Sequence, residues 1–336
     1  MNDKPQKQRI LWIDQLKAIC MMLVVFTHCH EETLTVPKTW ASIFYSIDRC
    51  GVPIFFMLSG AFIIQKAYNQ QIFCFYLQRI PRFIVALIFS SIITNIAFYI
   101  KTGSNIIDAS LLSLYYHNGV YNGDYGKAIQ LWFMYPLILI YIMAPFIAKM
   151  VLHCSKKELC LYIALCLIFN QLQPFTGIIG ISKMGTDFTG AYVAYFVLGY
   201  FLFNSHIKRE KLCLIVSIIT FILAIYFLYM LDMYKNINMH WYSESLPIFI
   251  SSLALFFILK SFLSRVNLSF LNDVGKKSFG IYLFHYAIIY ILLYYIKNIK
   301  ITWSLQCLFL FIFSFVGAYI VTILLARFPL LNKILT

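Results

Sequence analysis

Apolar residues fall in long runs along this chain, not in alternation. Runs long enough to cross a bilayer as helices recur at about 11–30, 50–65, 80–100, 131–149, 159–173, 190–204, 212–231, 246–262, 279–296 and 302–325. The second and sixth are short and depend on flanking residues. The weak ten-residue alternation of a membrane β-barrel, the other spanning solution, is missing. The pattern predicts an all-α polytopic membrane protein with about ten transmembrane helices. A single transmembrane domain is expected over 1–336, with no appended soluble domain.

Polar residues interrupt these runs at telling places. The first run carries Asp14, Lys17 and His28. At ~100° per residue, the eleven steps from Lys17 to His28 return to within ~20° of one direction, and ~1.5 Å of rise per residue puts them ~16 Å apart. Asp14 falls on the same side. An ionisable group in a membrane segment costs at least ~2.5–3.5 kcal/mol on insertion scales, so such groups pair, face a polar cavity and carry function.

Composition agrees with the hydropathy pattern. The chain is 61% hydrophobic and 12% charged over 336 residues, more apolar surface than a soluble domain keeps from water. The net charge of +14 changes the picture through its placement. With a cytoplasmic N-terminus, eighteen lysines and arginines fall on inside segments and seven on outside ones, which predicts both termini in the cytoplasm. The excess charge is a topology signal with affinity for anionic lipid heads, and it excludes nucleic acid as the expected partner. No cleavable signal peptide is evident, because the first run lacks a small-residue cleavage site and holds Asp14 and Lys17. The nine cysteines show neither CxxC pairing nor Cys/His ligand spacing, so no metal is expected. Cys29 and Cys50 are placed to meet near the outer face. The outside loop 101–130 bears Tyr115, Tyr116, His117, Tyr121 and Tyr125, read as interfacial anchors or a sugar-stacking surface.

Several strings together resemble the acyltransferase-3 family of bacterial integral membrane proteins. Trp12-Ile13-Asp14-Gln15-Leu16-Lys17 followed by Val24-Val25-Phe26-Thr27-His28 matches its basic residue, ten residues, then histidine. Lysine stands here where the family more often has arginine, a point charge in place of a planar fork. Val52-Pro53-Ile54-Phe55-Phe56-Met57-Leu58-Ser59-Gly60 is similar to its Phe-Phe-x-x-Ser-Gly. Arg79-Ile80-Pro81-Arg82 matches its Arg-x-x-Arg at the cytoplasmic end of the third span. Weaker echoes are Leu131-Trp132-Phe133, Tyr195-Phe196-Val197-Leu198-Gly199-Tyr200 and Ser278-Phe279-Gly280-Ile281-Tyr282-Leu283-Phe284-His285. The opening most resembles the branch with the O-acetyltransferase of enterobacterial common antigen.

The resemblance implies a multi-pass enzyme of the bacterial cytoplasmic (inner) membrane. Acetyl-CoA, or another acyl-CoA, is then the donor, and a hydroxyl of a surface glycan or lipid-linked sugar the acceptor. His28 is the implied general base or transient acyl carrier. Glu32, four residues on, shares its helix face and is expected to orient the ring. Arg79 and Arg82 suit the phosphates of coenzyme A, with positive-inside anchoring as the competing reading. Lys17 holds the donor or simply pairs with Asp14 at i, i+3. Ser59-Gly60 reads as close helix packing, since no string that activates a serine accompanies it. Pro81 is expected at a helix start, and Tyr282 and His285 near the cytoplasmic side as core residues or part of a cofactor tunnel. The rival from another class is a transporter exporting a glycan or small polar molecule, which predicts two matching halves with broken helices. No internal repeat is visible.

Overall fold

The computed structural model describes residues 10–113, 127–168, 172, 191–205, 209–240 and 245–335. Among them there are helices and no strands. In chain order they are α1 (Leu11–Glu31), α2 (Lys38–Asp48), α3 (Gly51–Tyr68), α4 (Ile72–Lys101), α5 (Ile106–Ser113) and a 3₁₀ turn, Ile129–Phe133, leading into α6 (Met134–His153). Then follow α7 (Lys156–Cys166), α8 (Ala191–Phe203), α9 (Glu210–Lys235), α10 (Leu246–Leu263), α11 (Ser269–Lys276), α12 (Ser278–Ile296), α13 (Trp303–Leu325) and α14 (Pro329–Leu335). Eight segments are long and apolar enough to cross a membrane, and Tyr192–Phe203 is a shorter apolar helix. This is an all-α polytopic membrane protein. The span expected at 159–173 is occupied by α7 as far as Cys166, with the rest mostly outside the described residues. The tyrosines of 115–125 and His117 lie outside them too.

The bundle is apolar at its rim and gathers its buried polar side chains within a largely apolar core. Of the most apolar window of α1, 61% is buried, against 17% for α9. Ile215, Ile219, Ile222 and Leu223 of α9 stand exposed, as a lipid-facing surface requires. The helix with Asp14, Gln15, Thr27, His28 and His30 is buried instead. A bilayer penalises exposed charge, so the ionisable Asp14, His28 and His30 of α1 sit inside the bundle among buried apolar residues.

Two junctions differ from the sequence expectation. Pro81 lies inside α4, not at a helix start. The helix begins at Ile72, and Pro81 removes one hydrogen bond from a turn that the apolar residues on either side hold in place. That loss costs about 3 kcal/mol in an isolated helix, and lipid and neighbouring helices offset it. Cys29 and Cys50 are both free. Cys29 Sγ lies 3.5 Å from Ser314 Oγ and Cys50 Sγ 3.3 Å from Ser251 Oγ, so each thiol faces a serine on a different helix.

Ser59-Gly60 does serve packing. A methyl group on Gly60 would lie 1.7 Å from the Phe196 carbonyl oxygen, and one on Gly199 1.9 Å from that of Met57. The α3–α8 crossing is therefore closed by a glycine from each side, the contact small residues permit in lipid.

Candidate active site

α1 runs without proline or glycine from Leu11 to Glu31 and carries His28 near its far end, with 10% of the side chain exposed. His28 Nδ1 lies 2.9 Å from Glu31 Oε2. Glu31 Oε1 accepts from Arg49 Nη2 at 2.5 Å. A carboxylate can only accept, so Nδ1 carries a hydrogen, and in the neutral ring Nε2 keeps its lone pair. Arg49 follows the last residue of α2, and its charge balances that of Glu31. The three residues fix the ring's orientation and leave one nitrogen able to take a proton.

This geometry corrects the expectation that Glu32 orients the ring. Positions i+3 and i+4 share a helix face, and the structure gives the ring to i+3. Glu32 turns the other way. Its Oε1 accepts from Tyr286 Oη and its Oε2 from Lys101 Nζ, both at 2.9 Å. Lys101 also lies 4.7 Å over the Tyr290 ring. Glu32 reaches His28 only through Tyr286, whose ring meets the imidazole edge-on at 4.9 Å.

His285 was missed as a partner of His28. It is fully buried on α12, and its ring stacks on that of His28, centroids 5.4 Å apart. Its Nδ1 donates to the Tyr282 carbonyl at 2.8 Å, while Nε2 has no hydrogen-bond partner among the described residues. It therefore lies at the depth of His28, not beside the cytoplasm. Counting turns along α12 alone misled, because Gly275, just before α12, already packs on the Asp14 carbonyl a turn inside α1.

From His285 a row of rings descends one face of α12. Tyr282 is 6.1 Å from His285, and Phe279 6.3 Å from Tyr282. The Arg82 guanidinium sits 5.5 Å over Phe279. Arg82 Nε also donates to the Ile334 carbonyl of α14 at 3.1 Å. Arg79 donates to Gln70 Oε1 at 3.3 Å and lies 4.3 Å over Phe75. From Arg82 to Thr94, which holds Gln130 beside the His28 cavity, is ~18 Å along α4 at 1.5 Å per residue. Lys17 sits 3.6 Å from Asp14 Oδ1, its side chain 33% exposed.

Beside His28 lies a small cavity lined by Thr27, His28, Asp48, Gln130, Trp132 and Tyr282, among others. Gln130 Nε2 bonds to Thr94 Oγ1 at 3.0 Å, and Tyr282 Oη donates to the Gln130 carbonyl at 2.7 Å. Thus α1, α4, α12 and the 3₁₀ turn all converge on one histidine. Of the residues expected from the sequence, His28 and Glu32 join this cluster. Arg79 and Arg82 form a second one, joined to the first by α12, and Lys17 pairs locally.

The fold and the cluster describe a multi-pass membrane protein with a group of paired histidines and carboxylates inside its helical bundle. The chain belongs to the acyltransferase-3 family: the family's acyltransferase domain matches residues 10–326. It is a membrane acyltransferase. No curated protein and no solved structure matches the chain.

Proposed function

We propose that the protein is an O-acetyltransferase of the bacterial cytoplasmic membrane. It takes the acyl group from acetyl-CoA on the cytoplasmic side, with both termini on that side. The acceptor is a hydroxyl of a surface polysaccharide or lipid-linked sugar. The observation that carries the reading is the His28–Glu31–Arg49 chain, which leaves Nε2 as the free acceptor at a buried cavity. His28 Nε2 takes the proton of the attacking hydroxyl, the oxygen adds to the thioester carbonyl, and the C–S bond breaks. The proton then passes from the imidazolium to the leaving thiolate, so no charge or proton is left over. Attack by Nε2 itself, through an acyl-histidine, balances equally well.

Arg79 and Arg82, with Lys17, hold the phosphates of the donor in this scheme. The ~18 Å from Arg82 to the level of the cavity is then crossed by the extended arm between phosphate and thioester, alongside Phe279 and Tyr282. Glu32 acts as a positioning residue through Tyr286. Reconstitution tests the whole. Purified protein in lipid vesicles receives labelled acetyl-CoA and the host's surface polysaccharide, stripped of esters by mild alkali. Label should appear in alkali-labile ester on the polysaccharide, and not with His28→Ala protein. Wild-type protein that moves no label to the polysaccharide would overturn the reading.

A further inference from the structure

The cavity beside His28 has a second polar wall that the acid–base chain does not use. Asp48 is 2% exposed and Gln130 1%. Asp48 Oδ2 is held by His30 Nε2 at 2.7 Å. Its Oδ1 has no hydrogen-bond partner among the described residues, nor has Gln130 Oε1. Thr27 also reaches the Asp48 carboxyl, and its single hydroxyl hydrogen is shared between that carboxyl and the Leu23 carbonyl 3.0 Å away. A buried acceptor left without a donor costs about 1–3 kcal/mol. Two around one cavity mark a place where a donor arrives from outside the chain.

The remaining walls identify the donor. Val24, Val52 and Phe133 are apolar, and Trp132 and Tyr282 are aromatic with a polar edge. An apolar wall with a few convergent acceptors suits a group with both C–H and O–H edges. The room is about 10 Å³, enough for one hydroxyl oxygen. An ammonium is disfavoured, because the Arg49 guanidinium, next in sequence, lies close enough to act electrostatically on Asp48.

We infer that this cavity is the acceptor's recognition subsite: Asp48 Oδ1, aided by the Gln130 amide, accepts a hydrogen bond from one sugar hydroxyl and so presents a second hydroxyl of the same sugar to His28. The inference rests on the acceptor class proposed above and adds the residues that select it. His30 is a positioning residue here. It ties up Oδ2, and its own ring is walled by Phe26, Phe44 and Tyr45, so Oδ1 is the carboxylate oxygen that faces the ligand.

The test measures binding of the ester-stripped host polysaccharide to the purified full-length protein without donor, and separately the transfer of label from acetyl-CoA. Asp48→Asn keeps the shape but replaces one carboxyl oxygen with an N–H donor. It should weaken polysaccharide binding on the order of 10–100-fold, the loss expected when a buried polar group is left unpaired. Binding of acetyl-CoA to the same sample is the folding control. If Asp48→Asn protein is not recovered folded, Gln130→Leu carries the test and should weaken polysaccharide binding in the same sense. Wild-type affinity for the polysaccharide in the folded variant overturns the inference, as does wild-type protein that binds no polysaccharide. Asp48-dependent binding without acyl transfer leaves the subsite standing and sinks the O-acetyltransferase reading instead.

Discussion

The two cation-bearing clusters of this protein are built on different principles. Around His28 the charged side chains are tied to one another, while Asp48 Oδ1, Gln130 Oε1 and His285 Nε2 are left open among the described residues. His28 Nδ1 goes to Glu31, Glu31 to Arg49, Glu32 to Lys101 and Tyr286, and His30 to Asp48. Around Arg79 and Arg82 the partners among the described residues are one amide, one carbonyl and two ring faces, with no carboxylate. Pre-set ion pairs suit a centre that must hold one tautomer through a reaction. Guanidinium forks resting on rings suit a place that waits for an anion, because ring contacts are surrendered cheaply when a phosphate offers bidentate bonds. Under the proposed function the first cluster does the chemistry and the second grips the donor.

The sharpest way to break that contrast is to remove the base. His28→Ala should lower acyl transfer by about 10²–10⁴-fold, the usual worth of a general base, with protein still recovered from the membrane. Transfer within a few-fold of wild type would leave the outer cluster a structural network.

Next comes the choice between the neighbouring carboxylates. Glu31→Gln lets the ring adopt the wrong tautomer and takes a carboxylate charge away from Arg49, so transfer should fall on the order of 10²-fold. Glu32→Gln disturbs only the Tyr286 and Lys101 contacts and should cost roughly 10-fold or less. Equal losses, or a reversed order, would show that the helix face was assigned wrongly. Both are read as rates at saturating donor.

For the second cluster the readout is binding. Arg79→Ala or Arg82→Ala should weaken acetyl-CoA binding by roughly 10–100-fold, the worth of a charge-assisted hydrogen bond. Arginine-to-lysine variants should recover only part, since an ammonium lacks the fork. Full recovery by lysine, or unchanged affinity in both alanine variants, would return the pair to positive-inside anchoring.

How much of this was legible in the chain differs between the clusters. The all-helical membrane fold follows from hydropathy alone, because in lipid the backbone must satisfy itself within each segment. His28 was legible as an ionisable group in an apolar run. Glu31 was within reach of the same reasoning, for i+3 and i+4 are equivalent until a ring rotamer decides between them. Arg49 and Asp48 were not. They sit 18 residues from their partners Glu31 and His30, at the α2–α3 corner, and no periodicity ties a corner to the end of another helix. His285 was misplaced in depth because its helix starts deeper than a count from the membrane surface assumes.

The smallest expected effect separates the buried polar centre from an ordinary surface pair on the side assigned to the cytoplasm. Asp273, on α11, accepts from Lys277 and from Tyr319, and these bonds hold its carboxyl below the usual value of 3.8. The sign follows from linkage. A carboxyl lowered in the folded state adds stability above its unfolded value, and that contribution is lost as pH falls through the folded value. Asp273→Asn should therefore be less stable than wild type at neutral pH, and the gap should begin to narrow below about pH 4 and vanish only below the folded value. The side chain is 41% exposed, so water and salt screen the pair and the gap is at most about 1 kcal/mol. Melting of both proteins in the same detergent, at pH 7 and in steps from about pH 4 down to about pH 2, at low and high salt, checks it. A gap that persists in acid, or that ignores salt, would mean that Asp273 is held as tightly as the buried residues around His28 and that this surface is more than a mooring for α12.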